Sequence, residues 1–242
     1  MNTDKKQALS VHLKAIRRML IVSVASVAVL FVLFFYLLCG PLVDFVLAPV
    51  RARGIEVITT SVSEALMMQF KVCLIAAVIA GMPVIIWQVW VFVSPALYPQ
   101  EKRLFAALFF VALLLFVGGV VFCYCLVFPM AIDLFWSAAD GVASTLWSVK
   151  EYFNFVLSFV LPFGLMFELP VVVYMLARRG LVTYQKLAHS RKYVILVIAI
   201  IAAILTPPDA VSQCMLAIPM ILLYEVAAQL ARLVKPKKPA EA

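Results

Sequence analysis

The fold of this chain is decided by the stretch Trp87-Gln-Val-Trp-Val-Phe-Val-Ser-Pro-Ala-Leu-Tyr-Pro-Gln-Glu-Lys-Arg103, which ends one apolar run and leads into the next. Trp87 and Trp90 lie about one helical turn apart, as is typical of the belt where a membrane helix meets water. Pro95 and Pro99 then stop the helix and hold a short turn. The stretch therefore predicts two membrane-spanning helices joined by a tight polar loop.

The composition extends this interpretation to the whole chain. Of its 242 residues, 66% are hydrophobic and only 13% are charged, whereas soluble domains have about half apolar and a quarter charged residues. The sequence therefore predicts an all-α integral membrane protein rather than a soluble domain. The cysteines are five in number and have no paired C-x-x-C spacing, so a disulfide framework or a zinc site is not indicated.

The apolar runs predict six spans within a single membrane domain, residues 1–242. An amphipathic cytoplasmic helix is expected over residues 1–18, because leucine and isoleucine recur there at helical spacing. The spans are expected at about 19–38, 65–93, 104–128, 152–176, 193–205 and 210–230, followed by a basic tail at 232–242. The fifth run is short, since 13 residues cover about 20 Å of a hydrocarbon core of about 30 Å.

Prolines set the predicted ends and bends of these spans. The third span is expected to stop at Pro129, so that residues 129–151 form an outer loop. The fourth is expected to bend at Pro162 and Pro170. The last two spans are expected to form a short hairpin around the turn 206–209.

The positions of the basic residues predict the orientation. Sixteen of the 20 lysines and arginines lie on one side of the predicted spans. They fall in the segments 5–18, 102–103, 178–192 and 232–238. By the positive-inside rule, this side is cytoplasmic and carries both termini. Since every basic segment adjoins a span, membrane lipids rather than nucleic acid are the predicted contacts.

No catalytic constellation is present in the sequence. Its two histidines, His12 and His189, lie in basic segments without a neighbouring cysteine or carboxylate. Neither a phosphate-binding glycine loop nor an H-E-x-x-H zinc motif occurs. The sequence therefore predicts a protein that is not an enzyme and that needs no cofactor or metal.

Three polar residues of the fourth apolar run form a candidate intramembrane site. Glu168, Asn154 and Ser158 fall on one side of a helix, Glu168 and Asn154 within about 40° of each other at 100° per residue. A carboxylate in a membrane is costly and usually faces protein or a wet cavity. The alternative is a buried glutamic acid bonded to a neighbouring helix.

Glu101 is the candidate contact for a cationic partner, because it is one of only three acids, with Asp4 and Glu241, on the predicted basic side. A carboxylate at the membrane interface can bind a guanidinium through two hydrogen bonds, with Tyr98 or Phe92 available for stacking. The alternative is a surface pair with Lys102 or Arg103, worth under about 1 kcal/mol. Asp209 and Gln213, at the turn of the last hairpin, are further polar candidates. The structural alternative for Asp209 is that it caps the N-terminus of the following helix.

Three ordered motifs make the chain resemble the TatC family, the core receptor subunit of the twin-arginine protein translocase. The first comprises Phe92-Val-Ser-Pro-Ala-Leu-Tyr98 with Glu101-Lys-Arg103. The others are Phe163-Gly-x-x-Phe-Glu-x-Pro170, and Leu205-Thr-Pro-Pro-Asp209 with Gln213 and Ala217-Ile-Pro219. The resemblance extends over nearly the whole chain, from His12 to the end of the sixth span.

The resemblance implies a bent, glove-like bundle of six helices with two short final helices in the bacterial plasma membrane. It implies a receptor that binds twin-arginine signal peptides of folded cargo and recruits single-span TatB and TatA partners. It also implies an oligomer and transport driven by the proton-motive force. The family's first-loop glutamate matches Glu101. The residues predicted to bind the signal peptide are Glu101, Phe92, Tyr98, Arg17 and Gln88, with packing or capping as the alternative for Gln88. The implied partner-helix residues are Thr206, Pro207, Pro208, Asp209 and Gln213.

The chain departs from the family pattern at its amino-terminal motif. The family pattern is His-Leu-x-Glu-Leu-Arg-x-Arg-Leu, and this chain has His12-Leu-Lys-Ala-Ile-Arg-Arg-Met-Leu20, with Ala15 in place of the glutamate. Glu101 is therefore expected to carry more of the recognition. The principal alternative function is a small secondary transporter or channel that uses Glu168, although no internal repeat supports it.

Overall fold

The computed structural model describes the backbone of residues 3–93, 102–139, 146–206 and 209–234, and the side chains of residues 14–91, 106–137, 146–206 and 209–234. The helices of these parts are α1 (Thr3–Leu37), α2 (Cys39–Arg51), α3 (Glu64–Val93), α4 (Lys102–Phe122), α5 (Phe128–Ala139), α6 (Val149–Phe167), α7 (Leu169–Arg178), α8 (Tyr184–Leu205) and α9 (Ala210–Leu233). A π-helical segment, Cys123–Val127, joins α4 to α5. Two short strands, β1 (Val57–Ile58) and β2 (Trp147–Ser148), pair in parallel.

Six helical segments of the described chain are long and apolar enough to cross a membrane. They are Lys14–Leu37, Glu64–Val91, Ala106–Ser137, Val149–Arg178, Tyr184–Leu205 and Ala210–Leu233. Their lengths run from 22 to 32 residues, and about 20 residues of helix suffice for the hydrocarbon core. The predicted fold, a helical membrane protein with six spans, is confirmed.

The third span continues past the proline that was expected to end it. Pro129 lies in the first turn of α5, and the span extends to Ser137. The π-helical segment gives the physical reason, because the Phe128 N–H donates to the carbonyl of Cys123, five residues back. The wider turn accommodates a proline that has no N–H to donate. The first part of the predicted outer loop, 129–151, is therefore helical.

The fourth span is interrupted near only one of its two prolines. α6 runs through Pro162 without a break, whereas α7 begins at Leu169 with Pro170 in its first turn. Pro170 cannot donate to the carbonyl of Met166, and its ring crowds that carbonyl. The junction between the two helices therefore falls at Glu168.

The fifth helix is longer than its apolar run, 193–205. α8 begins at Tyr184 and has 22 residues. Thr183 caps it, since its hydroxyl oxygen accepts a hydrogen bond from the Lys186 N–H at 3.4 Å. The basic segment before the apolar run is therefore helical, and which part of α8 crosses the membrane stays a prediction.

The helices belong to two compact units, residues 1–46 with 63–113 and residues 47–62 with 114–242. In the first unit, α1 packs along α3, and Phe70 stacks on Phe31 and Phe35 with ring centroids 5.9 and 4.7 Å away. A Cβ at Gly81 would lie 3.2 Å from the Val27 side chain. The glycine therefore lets the two helices approach closely.

In the second unit, α4 and α6 meet at two glycines. A Cβ at Gly164 would lie 2.6 Å from the Phe116 ring, which is itself 1% exposed. A Cβ at Gly119 would lie 2.8 Å from both the Phe163 carbonyl oxygen and the Phe167 ring. Each glycine thus makes room for an atom of the other helix.

A salt bridge and the two strands hold the loop after α2 within the same unit. Arg53 Nε and Nη2 donate to the two carboxylate oxygens of Asp133 at 2.6 and 3.1 Å. Its Nη1 donates to the Pro49 carbonyl at 2.9 Å. The hydrogen bonds that Arg53 donates to Asp133 raise the pKa of the Arg53 guanidinium above its ordinary value. Val57 of β1 pairs with Trp147 of β2.

Candidate functional site

The structure describes the side chains of only two of the five candidate signal-peptide residues. Glu101 and Tyr98 are outside the described residues, as is the side chain of Phe92. Of the other two residues, Gln88 is half-buried near the end of α3, and Arg17 is exposed on α1. Both belong to the first unit. The role of Glu101 therefore stays a prediction.

Glu168 has the setting expected of a functional intramembrane carboxylate. It lies at the junction of α6 and α7, and its backbone carbonyl accepts from the N–H groups of Val171 and Val172 at 3.1 Å. Its Oε1 is buried without a hydrogen-bond partner among the described residues. Because an unpaired buried carboxylate oxygen is costly, such an atom marks a position kept for function or for a partner.

The structure does not gather the three polar residues of this span into one site. Ser158 donates its hydroxyl to the Asn154 carbonyl at 2.8 Å, so that this hydroxyl serves the backbone of its own helix. Ser158 is ten residues from Glu168 in sequence, which is about 15 Å of helix, and Asn154 is further away. Glu168 is therefore the separate member of the predicted group.

The candidate partner-helix residues make contacts that close the α8–α9 hairpin. Asp209 caps α9 by accepting from the Ser212 N–H at 2.6 Å. The Thr206 hydroxyl donates to the Ala202 carbonyl at 2.8 Å, and Gln213 Nε2 donates to the Ala199 carbonyl at 3.1 Å. Pro207 and Pro208 lie outside the described residues. The capping alternative for Asp209 is thus observed, and it leaves a partner contact untested.

Sequence reasoning missed a polar cluster near the other end of the same hairpin. Arg191 Nη2 donates to Glu225 Oε1 at 2.5 Å, and Gln229 Nε2 donates to the same oxygen at 2.9 Å. Tyr224 donates its hydroxyl to the Leu187 carbonyl at 2.8 Å. Residues 191 and 225 are 34 positions apart, so neither periodicity nor a local motif could have revealed the pair. The cluster joins α8 to α9.

Among the described residues, no three histidine, cysteine, aspartate or glutamate side chains come together to hold a metal ion. The features described above are a buried carboxylate at a helix junction and a capped hairpin. They suit recognition of other polypeptides within and beside a membrane.

Comparison with known proteins assigns a family to this arrangement. The family described as "Sec-independent protein translocase protein (TatC)" matches residues 11–219. A relative in Carboxydothermus hydrogenoformans, named Sec-independent protein translocase protein TatC, is 38% identical over 97% of both chains. One of the same name in Haemophilus influenzae is 35% identical over 98% of this chain and 93% of its own.

A solved structure extends the likeness to three dimensions. The crystal structure of a twin arginine translocase receptor, TatC, superposes with a TM-score of 0.86 at 36% sequence identity. The match covers 92% of this chain and 98% of that chain. The fold is therefore shared along nearly the entire length of both proteins.

Proposed function

The chain belongs to the TatC family of Sec-independent protein translocases, and on that basis we propose that it is the receptor for twin-arginine signal peptides. The full-length structural likeness to a twin arginine translocase receptor carries this proposal. In this proposal the cargo proteins are folded when they are transported. The receptor itself lies in the bacterial plasma membrane, with both termini cytoplasmic. Sixteen of the 20 basic residues on one side support this orientation.

Glu101 is the proposed contact for the signal arginines. In sequence it immediately precedes α4, and the two residues that follow it, Lys102 and Arg103, are basic. A carboxylate binds a guanidinium through two parallel hydrogen bonds, which a lysine ammonium cannot form. The surrounding basic residues repel cationic segments that lack this geometry. The acid therefore gives selectivity for arginine.

Recognition in this chain rests on one carboxylate because Ala15 stands where the family pattern has a glutamate. Ala15 is exposed on α1, so a larger side chain there meets no packing barrier. We expect Ala15→Glu to strengthen signal-peptide binding. A gain of one charge-assisted hydrogen bond corresponds to about tenfold in affinity.

The intramembrane residues and the hairpin have separate proposed roles. The apolar part of the signal peptide lies along the α6–α7 span, where the Glu168 carboxylate has an oxygen without a protein partner in the described chain. Single-span TatB- and TatA-like partners contact the α8–α9 hairpin. Exposed apolar side chains on α8, such as Ile200 and Ile204, support such a contact. The proton-motive force drives transport.

The direct functional test is export in cells that lack their own receptor subunit. A folded reporter with a twin-arginine signal is expected to reach the periplasm when this chain is supplied with its TatA- and TatB-type partners. Glu101→Gln is expected to abolish most of this export. Glu151→Gln, which removes an exposed acid at the start of α6, is the matched control and should export normally. Equal export by the two variants would contradict the role of Glu101.

A further inference from the structure

A cavity of about 450 Å³ opens where α7 ends, α8 begins and α9 ends. Its walls are more apolar than polar. The residues that line it are Ala177, Gly180, Val182, Thr183, Tyr184, Gln185, Ala231, Arg232 and Val234. Gly180 has a φ of +71°, so the chain can turn sharply between the two helices. All of these residues belong to one compact unit.

Arg232 gives the polar wall of the cavity a positive charge, and the chain on either side of the lining residues is basic. The segments 177–187 and 226–234 contain four basic residues and no acidic residue. The Arg232 guanidinium lies 5.8 Å from the centroid of the Tyr184 ring. In the described part of the chain its partner is this ring rather than a carboxylate, because Glu225 is engaged by Arg191. Arg232 therefore offers its charge and its N–H donors to a ligand.

The first turn of α8 adds to the positive potential. The cavity is lined by Tyr184 and Gln185, the first two residues of this helix. Their backbone N–H groups precede the first intrahelical bonds, and the helix dipole is positive at this end. Arg232 and the helix terminus thus face the same space, which suits an anion.

Exposed apolar side chains flank this cationic space. Leu181, in the turn before α8, is 58% exposed, and Leu233, the last residue of α9, is 79% exposed. Both adjoin cavity residues at the ends of predicted membrane spans. Apolar side chains beside basic ones are typical of the level where headgroups meet acyl chains. The cavity therefore combines a site for a negative headgroup with neighbours suited to its tails.

We propose that this cavity binds the headgroup of an anionic phospholipid, with the phosphodiester on Arg232 and the first turn of α8. Basic pockets between membrane helices are suited to such headgroups. Since one water occupies about 30 Å³ of liquid, the cavity has room for more than an inorganic phosphate ion. Its apolar wall, including Val182 and Ala231, then contacts the glycerol and the first acyl carbons. The lipid links the ends of three helices.

The test is lipid retention by the full-length protein in detergent, measured by native mass spectrometry with phosphatidylglycerol and phosphatidylcholine in equal amounts. We expect selective binding of phosphatidylglycerol. Arg232→Gln removes a charge-assisted contact and should weaken it about tenfold. Arg18→Gln removes an exposed charge of the other unit and should change it less than about twofold. Arg232→Lys, which keeps the charge, should fall between.

Three outcomes would overturn the proposal. Equal losses in Arg232→Gln and Arg18→Gln would mean that the attraction is a general effect of net charge. Equal retention of phosphatidylcholine and phosphatidylglycerol would exclude an anionic headgroup. Displacement of the lipid by millimolar inorganic phosphate or glycerol phosphate would assign the cavity to a soluble phosphate instead. Unchanged thermal unfolding of the variants in lipid-free detergent shows that each retains its fold.

Discussion

At the scale of single residues, the acids of this chain differ in what their oxygens already bind. Asp209 accepts from the Ser212 N–H, Asp133 accepts from Arg53, and Glu225 accepts from Arg191. The Oε1 of Glu168 has no such partner in the described chain. An acid whose contacts are internal stabilises the fold, whereas an acid with an unused buried oxygen costs stability and is available for function.

Replacement of Glu168 is expected to separate stability from function. Glu168→Leu removes an unpaired buried oxygen, so it should stabilise the protein by about 1 kcal/mol, a rise of about 2–4 °C in Tm. Export of a twin-arginine reporter should fall sharply. Tm in detergent measures stability, and the amount of reporter in the periplasm measures export. Glu151→Gln is the control for both measurements. A lower Tm in Glu168→Leu would show that the carboxylate has a stabilising partner after all.

Substitutions at Asp209 are expected to distinguish a cap from a partner contact. Asparagine caps helices about as well as aspartate, whereas alanine loses about 1 kcal/mol. Asp209→Ala should therefore lower Tm, and Asp209→Asn should not. If the carboxylate also contacts a partner helix, Asp209→Asn will reduce copurification of the TatB-like protein at unchanged Tm. If the Asp209→Asn variant copurifies the TatB-like protein as fully as the unmodified chain does, Asp209 acts only as a helix cap.

At the scale of helices and turns, the sequence indicated most of the structure, and the errors have local causes. Pro170 was correctly expected to disturb its span, since a proline inside a helix loses a hydrogen bond. Pro129 was wrongly expected to end one, because the π-helical turn before it changes the hydrogen-bond register. The Arg53–Asp133 pair joins residues 80 positions apart. No local pattern encodes such a contact.

The close contact of α4 with α6 gives a prediction with a built-in control. Gly119→Ala places a Cβ 2.8 Å from the Phe163 carbonyl oxygen, whereas a Cβ at the adjacent Gly118 meets nothing within 4 Å. Gly119→Ala should therefore destabilise the protein by about 1–3 kcal/mol. Gly118→Ala should change stability by less than about 0.5 kcal/mol. Thermal unfolding in detergent compares the two, and equal Tm values would contradict the packing described for Gly119.

At the scale of the whole molecule, composition alone was sufficient for the class, and ordered motifs for the family. A chain that is 66% hydrophobic and 13% charged has to place its backbone polar groups in helices that cross the membrane. The six spans and the match over residues 11–219 agree with that expectation. The candidate site was less predictable from the sequence. Asn154 and Ser158 fall on the same helix face as Glu168, but they lie about 15 Å or more from it along the span.

The distribution of charge predicts that both termini are cytoplasmic. A green fluorescent protein fused after Ala242 should therefore fluoresce, because it folds in the cytoplasm. Alkaline phosphatase fused after Ala139, the last residue of α5, should be active, because it folds only outside. The reverse pattern in whole cells would overturn the orientation and the placement of Glu101.

The central claim is that one carboxylate, Glu101, recognises the signal arginines, and binding of a labelled signal peptide tests it most directly. The purified protein should bind a twin-arginine peptide and should discriminate against a twin-lysine peptide. Glu101→Gln should weaken twin-arginine binding about tenfold or more and remove the discrimination, while Ala15→Glu should strengthen binding. Tight, arginine-selective binding that survives Glu101→Gln would contradict the account.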